Sequence, residues 1–302
     1  MTNSIPYNSN NSGLRCINLV RISHVYYTHR DINKARQFLE DFGFQEVKRV
    51  GKDTYYRGTG FEPFVYCARE GDEDEFGGAA FTVESEEDLE YASRTLPGAS
   101  KITEFTDAPG SGLYVTFRDP ADNFPFHLVY GQKCHDDVKT FPPLKFNFGT
   151  LACVTNFAKA FEFYTTRFNF KPSDLVYDGN GRDITTFLHL DRDSEKVDHH
   201  CFFFFEGSKS HVHHSYFETH NFDTQVLGHD WLRHKGYENC WGVGRHVMGS
   251  QIFDYWFDTS RFILEHYVDG DLVDDEHPIN RSQASPDNLH VWGPDLPPEF
   301  LL

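Results

Sequence analysis

Residues 198–270 hold the side chains best suited to chemistry, in the successive stretches DHHCFFFFEG, HVHHSYFETH, GVGRHVMGSQIFDYWFD and RFILEHYVDG. His199, His200, His213, His214, His246 and Tyr255 stand at or beside the ends of short apolar runs, and Glu265 lies inside the last run. Imidazoles and a carboxylate presented by neighbouring strands suit a divalent metal with open positions, or a set of general acids and bases. The six cysteines are scattered and form no CxxC pair, which gives no thiolate zinc site and points to reduced thiols.

These residues need strands to position them, and the chain supplies strands in a repeating order. A strand is predicted over 19–27 and a helix over 31–42, with Asp31 as N-cap and Gly43 as the terminating glycine. Apolar runs at 46–50, 54–58 and 63–68 complete a βαβββ unit. The pattern restarts at 79–83 after an acidic, glycine-containing loop over 70–78, with a helix over 86–95 and strands ending in GLYVTFRDP and NFPFHLVYG. FGTLACVTNFAKAFEFYTTRFNF then superposes without a gap on ISHVYYTHRDINKARQFLEDFGF, at a constant offset of 126. A helix over 157–168 belongs to this third unit; a fourth begins at His213 and has its helix over 223–235.

Self-similarity at a fixed offset is the mark of duplicated units. The expected fold is α+β, four βαβββ modules paired into two domains of curved mixed sheets. The expected boundaries are a flexible tail (1–16), an N-terminal domain (17–131), a linker with Pro142 and Pro143 (132–144), a C-terminal pocket domain (145–270) and a C-terminal extension (271–302) covering the second domain or a neighbouring subunit.

Composition narrows the partners. The formal net charge of -18 repels phosphate backbones and anionic membranes, so neither nucleic acid nor a membrane is expected. No apolar run reaches the length of a membrane span, and the polar start MTNSIPYNSNNSG does not read as a signal peptide; a cytoplasmic protein is expected. The 30 Phe residues suit a core, whereas 17 His are more than a core needs.

The four units resemble the vicinal oxygen chelate superfamily, and the third and fourth resemble the catalytic domain of type I extradiol ring-cleaving dioxygenases of the 2,3-dihydroxybiphenyl and homoprotocatechuate type. The resemblance covers residues 17–270. It implies a metal held by one His on the first strand of the third unit, one on the first strand of the fourth, and a Glu on the last strand. Such a facial set leaves positions for a catecholate and dioxygen. His214 in HHSYFE matches the second His, and Glu265 in FILEHY the carboxylate. His200, 14 residues before His214, matches the acid/base histidine; His246 in GRHVMGSQ and Tyr255 in FDYWFD match two pocket residues. The first ligand departs from the pattern: Thr150 stands four residues before Val154 where the family has His. The repeat sets His24 opposite Thr150 and His127 opposite Glu265; both are expected to be hydrogen-bonded structural residues.

By this resemblance the chain is an extradiol dioxygenase-like enzyme using Fe(II), with a small aromatic substrate and dioxygen as partners. Thr150 opens two further readings. In one, with another divalent metal or none, His200, His246 and Tyr255 perform acid/base isomerisation, cyclisation or addition on a phenolic or polyketide-like molecule. In the other, a non-catalytic paralogue binds an aromatic compound. A homo-oligomer is compatible with each. His189 is a spare imidazole in the third unit, and His199, His211, His213, His220, His229, His234 and His266 are read as surface or supporting residues without an assigned role.

Overall fold

A computed structural model of the chain describes residues 15–134 and 148–301; nearly all of the expected tail and linker lie outside the described residues. In the first unit β1 (Leu19–His29), α1 (Ile32–Asp41), β2 (Gln45–Val50), β3 (Asp53–Arg57) and β4 (Tyr66–Glu70) follow in order. The Asp31 carboxylate caps α1 by accepting from the Lys34 amide, and Ile32, Ala35, Phe38 and Leu39 form its buried face. The second unit is β5 (Glu75–Val83), α2 (Glu86–Thr95), β6 (Thr103–Glu104), β7 (Leu113–Arg118) and β8 (Pro125–Tyr130). Here β5 starts within the expected loop, because Glu75 and Phe76 pair with Thr28 and Tyr27 of β1.

The third unit comprises β9 (Phe148–Val154), α3 (Phe157–Arg167), β10 (Phe170–Tyr177), β11 (Asp183–Leu190), β12 (Val197–Asp198) and β13 (Phe202–Glu206). The fourth comprises β14 (His211–Glu218), α4 (Phe222–Lys235), β15 (Asn239–His246), β16 (Ile252–Phe257) and β17 (Ile263–Val268). After it come β18 (Leu272–Val273), β19 (Asn280–Gln283) and β20 (His290–Trp292).

Each half makes one large mixed sheet, ordered β2-β3-β4-β1-β5-β8-β7-β6 and β19-β10-β11-β13-β9-β14-β17-β16-β15-β20. The duplication is visible in the pairing: β1 meets β5, and β9 meets β14, antiparallel at the centre, flanked by the parallel pairs β1–β4, β5–β8, β9–β13 and β14–β17. Much of the Phe surplus lies in the core where the halves meet, with Phe81 5.5 Å from Phe170 and Phe126 5.7 Å from Tyr164 between ring centroids. Each ring buried there contributes roughly 1.5–3 kcal/mol relative to exposure. The C-terminal extension lies on the second half: β19 joins β10 in parallel, β20 joins β15 antiparallel, and residues 284–289 between them border a cavity.

Candidate active site

The centre of the second sheet sets the site. His214 on β14 is opposite Leu151 of β9, and Thr150 is opposite Ser215. Glu265 on β17 pairs with Tyr216 on one side and with Tyr255 of β16 on the other. His246 ends β15, and His200 stands just before β13. All five side chains, His200, His214, His246, Tyr255 and Glu265, line one cavity of about 400 Å³; Thr150 is not among its lining residues. Leu151, Phe187, Phe203, Trp241, Leu289 and Phe300 supply much of the apolar wall. Gly149 makes room for this arrangement: a Cβ there would lie 2.0 Å from the Tyr216 hydroxyl, and that hydroxyl donates to the His200 carbonyl at 3.1 Å.

Hydrogen-bond partners fix where the protons sit. The Phe300 carbonyl accepts from His213 Nε2, so the other nitrogen of a neutral His213 is a lone pair. His213 Nδ1 accepts from His214 Nδ1 at 2.7 Å, which leaves His214 Nε2 unprotonated and 3.3 Å from Glu265 Oε2. Two acceptors facing each other at this distance favour a proton between them, on the Glu265 carboxyl, which the Tyr255 hydroxyl also contacts. On the other wall His246 Nδ1 donates to the Leu289 carbonyl at 2.7 Å, and its Nε2 accepts from the Tyr255 hydroxyl at 2.8 Å.

Electrostatics agree with these neutral forms. Burial, reinforced by neighbouring histidines, holds the His200 and His214 pKa values well below the ordinary imidazole range. His246 is lowered to about 4 by burial, against the pull of the Leu289 carbonyl, and His213 to about 4 by burial, against that of Phe300. Burial raises Glu265 well above the carboxylate range, and burial followed by the adjacent Glu265 raises Tyr255. The cavity is thus a largely apolar space on which these neutral groups converge, while Glu206, ion-paired with Arg182, borders it as well.

A divalent cation could replace the proton between His214 Nε2 and Glu265, whose Oε1 has no hydrogen-bond partner. The third donor is missing. Thr150 Oγ1 donates to the His214 carbonyl at 3.3 Å and accepts from Ser215 Oγ at 3.5 Å; Ser215 in turn contacts the Tyr27 hydroxyl at 2.8 Å. The side chain at 150 therefore ends a chain of hydroxyls reaching in from the first half. His189 does not substitute for it: its Nδ1 meets Ser173 Oγ at 2.6 Å, and it lies outside the cavity lining. Among the described residues no cluster of three His, Cys, Asp or Glu side chains could hold a metal ion. One imidazole and one carboxylate do not fit a 2-His-1-carboxylate centre.

Sequence reading missed the partners of the expected residues. His199 and His213, given no role, are buried at 3% and 6% exposure and clamp His200 and His214. The HH doublets before β13 and on β14 were the available signal. Phe300 and Leu289 of the extension had none. In the first half His24 bonds Ser23 and Tyr26, and His127 bonds the Gly77 carbonyl. No helix among the described residues is long and apolar enough to cross a membrane.

Residues 149–265 match the family model described as Glyoxalase/Bleomycin resistance protein/Dioxygenase superfamily. Metapyrocatechase 2 of Cupriavidus necator is 28% identical over 148 residues, 47% of this chain and only 42% of that protein's length. A variant of homoprotocatechuate 2,3-dioxygenase from B. fuscum superposes with a TM-score of 0.83 at 16% identity, covering 99% of this chain and 84% of that one. The Mn(II)-bound glyoxalase from Novosphingobium aromaticivorans superposes with a TM-score of 0.79 at 22% identity, covering 92% and 94%. At these identities the superpositions establish the fold.

Proposed function

Starting from residues 149–265 as a domain of the glyoxalase/bleomycin resistance protein/dioxygenase superfamily, we propose that this chain is an enzyme of acid/base chemistry on a small phenolic or polyketide-like molecule. The observation that carries the reading is the convergence of His200, His214, His246, Tyr255 and Glu265 on one largely apolar cavity of about 400 Å³. A cavity of that size and lining accepts a small aromatic ring. The reaction is keto–enol isomerisation. His200 takes the proton from a substrate hydroxyl or activated C–H, and the carbon–oxygen π-system shifts. The proton then returns to the other end of that system.

During the shift the Tyr255 hydroxyl turns its proton from His246 Nε2 to the substrate oxygen that gains charge, because such an oxygen needs a donor in a dry site. Positioned general bases contribute about 10²–10⁴-fold. No Lys or Arg occurs among the cavity lining, so neutral phenols suit it better than carboxylated ones.

A second reading, extradiol ring cleavage with Fe(II) and dioxygen, is favoured by the names of the relatives. It requires a metal for which the chain offers two of the three protein donors. One experiment separates the two. Chelator-treated protein is incubated with phloroglucinol in D2O, and ring deuteration is followed by NMR. Exchange that persists without metal and vanishes in His200→Asn supports isomerisation. Exchange no faster than buffer, with oxygen consumption and a coloured product from catechol after Fe(II) addition, supports cleavage instead.

A further inference from the structure

Two histidine doublets border the cavity, and they end differently. His213 leans on a neutral carbonyl, that of Phe300, whereas His199 leans on a carboxylate: its Nε2 lies 2.7 Å from Asp174 Oδ2. On its other side His199 Nδ1 lies 3.1 Å from His200 Nδ1. We propose that Asp174, His199 and His200 form a carboxylate–imidazole–imidazole relay that makes His200 the base of the cavity and moves the resulting charge out of it. The inference rests on the reading of the cavity as a phenol-binding, acid/base site.

The argument is one of proton accounting. Asp174 only accepts, so His199 carries its proton on Nε2, and Nδ1 of the neutral ring is a lone pair. His200 Nδ1 must then donate to it, which leaves His200 Nε2 as a lone pair on the ring edge that is free to meet a ligand in the cavity. A lone imidazole in an apolar pocket is a poor place for positive charge. The doublet avoids that state. When a substrate O–H or C–H bond breaks, its proton goes to His200 Nε2 and the His200 Nδ1 proton passes to His199 Nδ1. The imidazolium that results is His199, in direct contact with the Asp174 carboxylate, and the electron pair stays on the substrate. Asp174 and His199 are therefore positioning residues acting through His200.

The surroundings hold this register. Gly249, at φ +77°, backs onto both rings: a Cβ there would lie 2.9 Å from His199 Nδ1 and 3.3 Å from His200 Nδ1. The His199 amide donates to the Asp271 carbonyl at 2.9 Å, and Ser173, which also contacts His189, donates to the His199 carbonyl. His277, partly exposed, is the remaining titratable ring beside His199, with centroids 5.9 Å apart.

The test has two readouts on the full chain. The first is 15N NMR of histidine-labelled protein, with His200 assigned through His200→Asn; a proton on Nδ1 and none on Nε2 is expected. The second is the absorbance of bound 4-nitrophenol on the acidic side of neutrality, where the free probe is mostly protonated. Wild type is expected to bind it as the phenolate. His199→Gln, which can still accept from His200 and donate to Asp174, and Asp174→Asn are each expected to lower the bound phenolate fraction at least about tenfold. Binding of 4-nitroanisole, which has no proton to give, is expected to stay within about twofold if the cavity is intact. Equal phenolate in all three proteins, or an Nε2 proton on His200, overturns the relay. If wild type binds neither probe, the phenol-binding reading fails; the relay then stands or falls on the His200 tautomer alone.

Discussion

Replacing Thr150 by His asks whether the site is one ligand short of a metal centre. The side chain at 150 sits on β9, beside the strand that carries His214, and is 2% exposed. The Thr150 hydroxyl makes only long contacts, 3.3 Å to the His214 carbonyl and 3.5 Å to Ser215, so its loss costs about 1 kcal/mol. Fitting an imidazole into a packed position costs about 1–3 kcal/mol, eased by the neighbouring cavity. Against this, a four-ligand protein site yields roughly 10–16 kcal/mol, or about 2.5–4 kcal/mol per ligand. The steric cost falls largely on folding, while the ligand acts on the metal. Thr150→His should therefore tighten Fe(II) or Co(II) binding by about 60–700-fold. The affinity should also rise with pH, because the metal must displace the Glu265 proton. Anaerobic equilibrium dialysis of wild type, Thr150→His and Thr150→Ala measures this, with circular dichroism to establish that each is folded. A folded Thr150→His holding no more metal than Thr150→Ala would show that position 150 does not reach the space between His214 and Glu265.

Three further perturbations follow from the buried groups. Glu265 keeps a proton in the folded state that the unfolded chain gives up above its ordinary pKa of 4.5, so stability falls as pH rises from there toward the folded value. Glu265→Gln should flatten that fall and be more stable than wild type at neutral pH, measured by urea midpoints across a pH series. Asp258, raised from 3.8 to about 7 chiefly by burial, has the same sign: across about three pH units, at about 1.4 kcal/mol each, the wild type should lose about 4 kcal/mol. In Asp258→Asn this slope should disappear, while the amide oxygen still accepts from Ser260 and Phe262; an unchanged slope would refute it. Phe300 packs its ring 4.7 Å from His213 and 4.8 Å from Tyr255, so Phe300→Ala should cost about 3–5 kcal/mol and admit 1-naphthol better than phenol. Thermal melts and ligand titrations check both effects.

The fold was legible because duplication turns weak local signals into a repeated one. A single amphipathic stretch such as 32–41 is only suggestive. Set against 157–167 at a constant offset, it fixes the register of both. That register also sets Thr150 opposite His24, and β1 and β9, which carry them, occupy equivalent central positions in their sheets. Where the repeat has no counterpart, reading stopped. The extension after 270 repeats nothing, so the carbonyls of Leu289 and Phe300, which settle the tautomers of His246 and His213, left no trace in residue type.

The histidine doublets show a second limit. In a strand or at its edge, neighbouring side chains alternate in direction, so of two adjacent histidines one is expected to face the site and the other to face away. Both members of each doublet are buried instead. Of the first pair only His200 lines the cavity, of the second both do, and in each the first histidine bonds the second through Nδ1–Nδ1 contacts of 3.1 Å and 2.7 Å. A β-bulge at Val212/His214 allows this on β14, and at 199–200 the chain is outside any strand. Alternation is a sound physical rule that the local backbone does not obey at either doublet. The consequence is chemical at 199–200: the ring that would settle whether the cavity can take up a proton, His199, stands one residue away from His200, which touches its contents.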